Sequence, residues 1–406
     1  MKQILTTNRM QSFKMCRRKH YFEYELGLRQ QVDARSLRIT TAGRAALHAL
    51  QHERSLVAAL DALRPFYEPC PPASDRREWD YERETVACLI AGYRWRWGEP
   101  LTMIARPKRF QLPVINPQTG AASTIWDTAG QWDGIAKMPN GQTVVVKHRF
   151  TAEDLSSEGS FWTRQQLDHR VTHLLDAGRQ LGHTLDGVLL DVIRKPLIRP
   201  GTLPMLDEAG HKVVVDRSGH RVFNPNGQPR QTAHAAKGFT LQTRPMTPLE
   251  WGEKLLEDIG QRPEFYYARQ VISRRDEEIA EMQSEAWEVQ QTIRDAQNKQ
   301  RWFKTVSRDT CSLCSFLTLC TSQFDPQQGT PRGFVRLDDV HPELQGEFDR
   351  PKGSCCQPPS ATRPEDVIAT PVPAARPTDH PERIPPANEA FQTPPIRTIP
   401  EDDIPF

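Results

Sequence analysis

Three nitrogen-bearing side chains stand in a row within the stretch "VVVKHRF". Lys147, His148 and Arg149 follow a run of valines, and a Pro-Asn-Gly turn sequence at 139–141 precedes that run. This pattern predicts the second strand of a hairpin, which leaves the core and ends in a basic cluster. The positive charge of such a cluster must be balanced, either by a bound anion or by a carboxylate of the protein, or the cluster occupies a position where a metal ion was once bound. Which of these three applies decides whether this site could be catalytic.

A group of cysteines has the spacing of a metal site. The segment "CSLCSFLTLC" places Cys311, Cys314 and Cys320 at the spacing C-x2-C-x5-C. Three thiolates this close can bind zinc or an iron–sulfur cluster, and either usually requires a fourth ligand. Cys16, in the basic segment "CRRKHYFEYE", is the predicted fourth ligand, and the alternative is a set of unlinked thiols. The remaining cysteines are predicted to be ordinary thiols: Cys70, Cys88, Cys355 and Cys356.

Composition restricts the class of protein. The chain has 406 residues and a net charge of +2, so any nucleic-acid binding must come from local patches rather than from a global field. The N-terminal segment is not an apolar leader and no run of about 18 apolar residues occurs, which predicts a cytoplasmic protein without a membrane partner. Of the 34 prolines, 17 lie between Pro326 and Pro405, which predicts a disordered, Pro-rich C-terminal tail.

Upstream of the tail, the pattern mixes helices and strands. Helices are predicted over 9–26, around "AGRAALHALQ", over 163–182 and near 270–296. Strands are predicted near 109–115, 124–136 and 143–149, and at "DGVLLDVIRKP". Residues from about 200 to 240 carry many glycines and turn residues, which predicts a polar hairpin insertion, and no internal repeat is evident. This order predicts an α/β domain with a mixed sheet.

Taken in order, these motifs resemble those of the iron–sulfur-containing nucleases of the PD-(D/E)XK superfamily. That group includes CRISPR-adaptation nucleases, the nuclease domains of bacterial helicase–nuclease repair complexes, and phage RecB-like exonucleases. The resemblance covers roughly residues 4–325 and rests on the cysteines and on "MQSFKMCRRKHYFEYELGLR", "AALH", "GQWDGIAK", "FWTRQQLDHRV" and "LDGVLLDVIRKPLIRP". It implies a restriction-endonuclease-like core, in which helices flank a mixed β-sheet. It also implies a 4Fe-4S cluster on Cys16, Cys311, Cys314 and Cys320.

The resemblance further implies an active site that holds Mg²⁺ or Mn²⁺ on oxygen ligands and uses a lysine to polarise water. By position, His48 matches the helix histidine ligand of the family, and Asp133, in "GQWDG", matches the first carboxylate. The next motif of the family is an acidic residue two positions before a lysine. Here Lys147 takes the acidic position and Arg149 the lysine position; if Lys147 is instead aligned as the lysine, Val145 takes the acidic position.

In both alignments the second carboxylate of the family motif is missing, and the helix that follows also differs from the family pattern. The family shows Gln and then Tyr four residues later, where this chain has Arg170 and Leu174. The active site is therefore predicted to be degenerate, although Glu153, Asp154 or Asp168 could supply an oxygen instead. We expect the cations of Lys147, Arg149 and Arg170 to converge where the metal ion would lie. Lys147 or Arg149 would pair with Asp133. The remaining basic groups would bind a DNA phosphate. The alternative is an inert, salt-bridged relic.

The segment "EDDIPF", residues 401–406, resembles the acidic tip of bacterial single-stranded-DNA-binding proteins. In that family the Pro-Phe pair enters an apolar pocket, and the carboxylates meet a basic rim. The resemblance implies that Asp402, Asp403, Pro405 and Phe406 contact host replication and repair proteins that recognise such tips. The alternative is a chance acidic terminus.

Together, these patterns predict a nuclease-like domain over 1–325, a disordered linker over 326–400 and an interaction tip over 401–406. The predicted function is that of a phage- or prophage-type DNA-metabolism protein in a bacterial host, which binds DNA and recruits repair or recombination partners. One alternative is an active exonuclease dependent on Mg²⁺ or Mn²⁺. Another is a decoy that occupies host repair enzymes through the tip alone.

Overall fold

The computed structural model describes residues 2–31, 35–68, 70–71, 74–98, 101–322 and 324–344. The structure mixes helices and strands, as predicted. The strands are β1 (Gln3–Thr6), β2 (Leu28–Gln30), β3 (Thr102–Ala105), β4 (Lys108–Ile115), β5 (Ala122–Trp132), β6 (Gly134–Lys137), β7 (Thr143–Thr151), β8 (Gly187–Arg194), β9 (Thr202–Pro204), β10 (Val214–Val215), β11 (Thr240–Leu241), β12 (Thr243–Pro245), β13 (Tyr267–Ile272) and β14 (Phe334–Arg336). The helices are α1 (Thr7–Met15), α2 (Arg17–His20), α3 (Arg35–Glu53), α4 (Leu56–Asp61), α5 (Arg64–Tyr67), α6 (Arg76–Trp97), α7 (Ser160–Leu167), α8 (His169–Gln180), α9 (Pro248–Gln261), α10 (Pro263–Tyr266), α11 (Asp276–Lys299), α12 (Arg308–Cys311) and α13 (Leu317–Thr321).

The central sheet is mixed and has the strand order β13-β8-β7-β6-β3. Strands β7 and β8 are parallel and are joined through α7 and α8, whereas the other neighbouring pairs are antiparallel. The predicted hairpin of β6 and β7 is confirmed, and its turn follows Met138. Strand β8 is buried along its whole length, as its continuous apolar run predicts, and it ends two residues before Pro196.

Helices cover both faces of the central sheet. On one face, Ile193 of β8 packs with residues of α3, α6 and α9, including Leu47, Leu89 and Trp251. On the other face, Val192 of β8 packs with the apolar stripe of α8. This two-sided burial follows from the alternation of side chains along a strand, which sends neighbouring residues of β8 to opposite helical layers.

A second sheet, with the order β1-β5-β4, is joined to the central sheet through two short links, residues 106–107 between β3 and β4 and Asp133 between β5 and β6. Strand β5 ends at Trp132 in the second sheet, and β6 begins at Gly134 in the central sheet, so that Asp133 lies at the crossing. Gly134 has a φ of 147°, and a Cβ there would lie 2.0 Å from Cε of Met103. Glycine is therefore required at 134, because this backbone turn presents Asp133 to the space beside β7.

Three predicted helices have different limits in the structure. The helix predicted over 9–26 is interrupted at Cys16, whose backbone is extended, and it ends in a π-helical turn at Tyr21–Glu25. The helix predicted over 163–182 is divided at Asp168, which caps α8 with its side chain and leaves Leu167 exposed. The helix predicted near 270–296 begins at Asp276, because the preceding residues form β13 against β8. Tertiary pairing and capping thus override helical periodicity at these points.

The insertion between β8 and α9 consists of short strands and three turns of one form. The turns begin at Asp207, Asp216 and Asn224, and in each the backbone N–H of that residue donates to the carbonyl four residues later. Each also has a glycine with positive φ at its fourth position. The sequences "DEAGH", "DRSGH" and "NPNGQ" therefore form an internal repeat, which the sequence analysis did not detect.

Folded structure continues past residue 325. Strand β14 pairs with β2, and Leu344 is buried. The predicted start of the linker at residue 326 therefore lies inside a folded segment. The remainder of the predicted linker, from residue 345, and the predicted tip at 401–406 lie outside the described residues. Within the described ranges, none of the helices is both long enough and apolar enough to cross a membrane.

Candidate functional site

Asp133 is the centre of a buried cluster of charges. Its carboxylate is 5% exposed, and each oxygen has its own set of partners. Oδ1 accepts hydrogen bonds from the Arg44 guanidinium, with Nε at 3.1 Å. Oδ2 accepts the backbone N–H of His148 at 2.9 Å and lies 3.3 Å from Nζ of Lys147. The Lys147 ammonium also donates to the carbonyl of Gln131 at 3.2 Å, which fixes it over the carboxylate.

The charge state of Asp133 follows from these contacts. Burial by itself raises the pKa of the carboxyl, but the cations of Arg44 and Lys147 outweigh burial, and the pKa lies well below its usual range. Asp133 is therefore ionised at neutral pH. Its negative charge is balanced by protein cations, in an arrangement that requires no bound metal ion.

Helix α3 supplies Arg44 and, one turn later, His48. Burial together with the neighbouring His52 lowers the pKa of His48 to about 4, while the charge of Asp133 acts in the opposite direction. His48 therefore lies within electrostatic range of Asp133, and it is neutral at pH 7. Arg44 was not predicted as a site residue. Its position four residues before His48, on the same helix face, was the available signal.

Arg149 and Arg170 converge on a different carboxylate, Asp168. Arg149 Nη2 lies 3.0 Å from Asp168 Oδ2, and its Nη1 donates to the side chain of Gln165 at 2.6 Å. Arg170 Nε lies 3.1 Å from Asp168, and the Arg170 side chain is 42% exposed. The three cations expected at one point are therefore divided, with Lys147 at Asp133 and the two arginines at Asp168. Burial lowers the pKa of Arg149, and Asp168 opposes that effect.

His148 points to the opposite side of the sheet from Lys147 and Arg149. Its Nδ1 lies 3.2 Å from Asp191 of β8, and its Nε2 lies 3.1 Å from Nε2 of Gln51 on α3. Arg269 and Tyr93 bind the same Asp191 carboxylate, which is fully buried. The middle residue of "KHR" therefore ties β7 to the helical layer, and only its two neighbours can contribute to the Asp133 and Asp168 sites.

As the side chains stand, the Asp133 site does not form a metal site. Both carboxylate oxygens are engaged by protein donors, and a divalent cation would have to displace Lys147 or Arg44. Across the described part of the chain, no group of three or more His, Cys, Asp or Glu side chains is arranged to hold a metal ion. The arrangement can instead present cations to an external anion, because the Lys147 and Arg149 side chains are each 20% exposed.

Two of the four predicted cysteine ligands contact the backbone of Thr305. The extended backbone at Cys16 interrupts the first helix, and Sγ of Cys16 accepts the backbone N–H of Thr305 at 3.4 Å. Sγ of Cys311 lies 4.0 Å from the Thr305 carbonyl. Burial raises the pKa of Cys320, and the charges of Cys314 and Cys16 act on it in the same direction. Cys16 therefore lies in the same region as Cys311, Cys314 and Cys320, although almost 300 residues separate it from them in sequence.

The four thiols are the donor type that a soft metal or an iron–sulfur cluster requires, but as they stand they are not grouped closely enough to hold a metal ion, so binding would have to draw them together. All four thiols are free, and Cys16 is buried. Cys314 and Cys320 pack against an apolar group that includes Phe22 and Phe316. Cys16, Cys311, Cys314 and Cys320 would hold the cluster, and these surroundings would limit its contact with water.

Comparisons with known proteins assign no family. No family model matches the chain, and no curated protein matches it. A solved structure described as "Crystal structure of SSO0001" is 8% identical, with a TM-score of 0.24; the match covers 80% of this chain and 89% of that chain. A similarity of this size identifies neither the fold nor the function.

Proposed function

We propose that this chain is a DNA-metabolism protein with a PD-(D/E)XK nuclease-like core that binds DNA without cutting it. The observation that carries the proposal is the position of the Lys147 ammonium, 3.3 Å from Oδ2 of Asp133. The resemblance places a divalent metal ion at this carboxylate. A bound cationic side chain supplies positive charge there but cannot generate a nucleophilic water.

The topology supports a restriction-endonuclease-like core. The hairpin of β6 and β7 is followed by α7 and α8 and then by β8, which pairs in parallel with β7. Helices cover both faces of the resulting mixed sheet. This matches the mixed sheet with flanking helices that the resemblance implies.

Further cations beside the crossing at Asp133 support DNA as the ligand. Arg106, Lys108 and Arg109 are exposed, and within the described ranges none of them forms an ion pair. Lys108 and Arg109 lie on β4 opposite Trp132 and Gln131, immediately before Asp133 in the chain. Cations without carboxylate partners are suited to the phosphates of a nucleic acid, because binding releases condensed counterions.

We also propose that a 4Fe-4S cluster binds to Cys16, Cys311, Cys314 and Cys320. Three observations support it: Cys16 and Cys311 both contact the backbone of Thr305, Cys320 lies within electrostatic range of Cys314 and Cys16, and the helix is interrupted at Cys16. The cluster would cross-link the N-terminal helices to the segment containing α12 and α13. It would therefore act on stability rather than on phosphate chemistry.

Partner recruitment is the part of the proposal that rests on sequence alone. Asp402, Asp403, Pro405 and Phe406 would bind host proteins that recognise single-stranded-DNA-binding-protein tips. Phe406→Ala is expected to abolish binding to such a protein while DNA binding is unchanged. The decoy alternative makes a different prediction. The wild-type protein would bind no DNA, and Phe406→Ala would abolish every effect of the protein in the host cell.

The deciding experiment combines cleavage and binding assays on one preparation. Labelled single- and double-stranded linear DNA is incubated with the protein in Mg²⁺, in Mn²⁺ and in EDTA. The variants are Asp133→Asn, which removes the central charge, and Lys147→Gln, which removes the cation. Lys137→Gln is the matched control, because Lys137 is an exposed lysine on the neighbouring strand β6. Thermal unfolding of each variant shows whether it is folded.

We expect binding in EDTA without cleavage, and weaker binding for Lys147→Gln than for Lys137→Gln. Metal-dependent degradation that disappears in Asp133→Asn would establish the rival function, a working exonuclease, and would overturn the proposal. Absence of both binding and cleavage would show that the charge cluster is an inert relic.

A further inference from the structure

The insertion at 201–245, which we call the turn module, carries a local excess of positive charge. It contains six cations (Lys212, Arg217, Arg221, Arg230, Lys237 and Arg244) and three carboxylates (Asp207, Glu208 and Asp216), so its net charge is +3. The whole chain of 406 residues has a net charge of only +2. The positive charge per residue is therefore higher in this segment than in the chain as a whole.

The carboxylates of the turn module are used within it. Oδ1 of Asp207 accepts the backbone N–H groups of Ala209 and His211, and Oδ1 of Asp216 accepts those of Ser218 and His220. Two aspartates thus cap their own turns, which is why Asp or Asn begins each repeat. They do not neutralise most of the cations.

Among the residues that the structure describes, two of the six cations form ion pairs with carboxylates. Arg221 lies 2.5 Å from Asp207, and Arg244 lies 2.5 Å from Glu250 of α9. The other four, Lys212, Arg217, Arg230 and Lys237, have no ion pair anywhere in the described ranges.

Three of these unpaired cations surround one loop, residues 237–239. The Arg217 side chain lies over Gly238, since a Cβ on that glycine would be 2.5 Å from Arg217 Nε. The Arg230 guanidinium lies 5.4 Å from the centre of the Phe239 ring. Lys237 is in the same loop and is exposed. Arg217, Arg230 and Lys237, the basic cluster, therefore give this loop a local positive potential that would attract an anion.

The turn module follows β8, the strand that pairs with the strand of Lys147 and Arg149. Strands β7 and β8 are parallel and end together, with Thr151 opposite Arg194, and the module follows β8. Arg149 lies opposite Val192, two residues before that end. The carboxyl ends of parallel strands are where α/β proteins bind ligands, because the connecting loops project there.

We propose that the turn module is a second DNA-contact surface, on which the basic cluster binds backbone phosphates of the DNA held beside Lys147. The inference rests on the proposed function and extends it to a site that no motif of the nuclease core includes. Phe223 is 54% exposed next to Arg221 and offers a ring face on which an unpaired base can stack. This adds a preference for DNA with single-stranded character.

The test removes the same charge from two places in the full-length protein. The module variant is Arg217→Gln/Arg230→Gln/Lys237→Gln. The matched control is Arg77→Gln/Lys137→Gln/Arg294→Gln, which removes two arginines and one lysine from exposed positions on α6, β6 and α11. Binding to labelled duplex and to labelled single-stranded DNA is measured between about 50 and 200 mM salt. Thermal unfolding checks the fold of both, and Phe223→Ser is measured on the same probes.

We expect the module variant to bind more weakly and to lower the slope of log K against log salt by about two to three for duplex DNA. The control variant should keep the wild-type slope. Phe223→Ser should lose affinity several-fold for the single strand and little for the duplex. Wild-type affinity and slope in the folded module variant would overturn this inference and leave the proposed function standing. A wild-type protein that binds no DNA would overturn both.

Discussion

Lys147 and Asp133 form an ion pair of 3.3 Å between Nζ and Oδ2, at the point where the chain passes from one sheet to the other. Asp133 is buried, whereas the Lys147 side chain is one-fifth exposed. The pair therefore has a protected anion and an accessible cation. An accessible cation beside a buried anion suits a surface that attracts phosphate. A metal site has the opposite arrangement, in which carboxylate oxygens are accessible to the metal ion.

Replacing Lys147 with glutamate tests whether the site retains the geometry of a metal site. Lys147→Glu places a second carboxylate beside Asp133, so we expect a lower melting temperature in EDTA and a rise on adding Mn²⁺. A free Mn²⁺ concentration about 100 times the dissociation constant would raise the free energy of unfolding of this variant by roughly 2.7 kcal/mol. Lys147→Gln is the control, because it removes the cation without adding a ligand charge. Equal responses of the two variants to Mn²⁺ would show that no metal geometry remains.

Asp168 has two roles that substitution can separate. It caps α8 by accepting the N–H of Arg170 at 2.9 Å, and it neutralises the half-buried Arg149. Asp168→Ala removes both contributions, and we expect a loss of about 2–4 kcal/mol in the free energy of unfolding. Asp168→Asn keeps a capping oxygen and removes the charge, so its loss should be about half as large. Urea denaturation measures both, and equal losses would assign the whole effect to charge.

His173 should make the protein less stable as the pH falls. It is buried on α8, with Nε2 2.8 Å from Oγ1 of Thr128, and burial lowers its pKa to about 4. The unfolded chain has an ordinary pKa of about 6.5, so between these values it binds a proton that the folded protein does not. Stability is therefore lost from about pH 6.5 down to about pH 4, by up to about 3 kcal/mol.

His173→Gln keeps a hydrogen-bonding side chain but does not titrate. We expect the free energy of unfolding of this variant to fall less than that of the wild type over the same pH range, measured by urea denaturation at each pH. Above pH 7 the two slopes should be parallel. A wild-type slope unchanged by the substitution would show that His173 does not contribute to the pH dependence.

The cysteine cluster predicts a defined metal content. Protein purified without oxygen should be brown and contain iron and sulfide, and Cys16→Ser or Cys320→Ser should lose both. Cys70→Ser is the control, since Cys70 packs against the core of α3, α6 and α9, away from the predicted ligands. Elemental analysis distinguishes the outcomes. Zinc in a colourless protein would replace the 4Fe-4S assignment, and absence of both metals would leave four plain thiols.

Local sequence determined the elements whose signals are short and strong. The hairpin of β6 and β7 follows from alternating residues around a Pro-Asn-Gly turn, and β8 follows from one apolar run stopped by a proline. The helical spacing of Phe13, Cys16, His20 and Tyr24 within 9–26 also agrees with the burial of all four. The N-terminus of α9 has an equally clear local signal, because Thr247 and Glu250 form a capping box and Pro248 occupies the first helical position.

Only the tertiary structure decided which charges meet. Lys147 and Arg149 are two residues apart on one strand, yet they bind different carboxylates, because the crossing at Gly134 brings Asp133 to one and the cap of α8 brings Asp168 to the other. Arg44 reaches Asp133 across 89 positions of sequence. Sequence fixes the type and local periodicity of these side chains, whereas ion pairing depends on distances that exist only after the sheet and helices have packed.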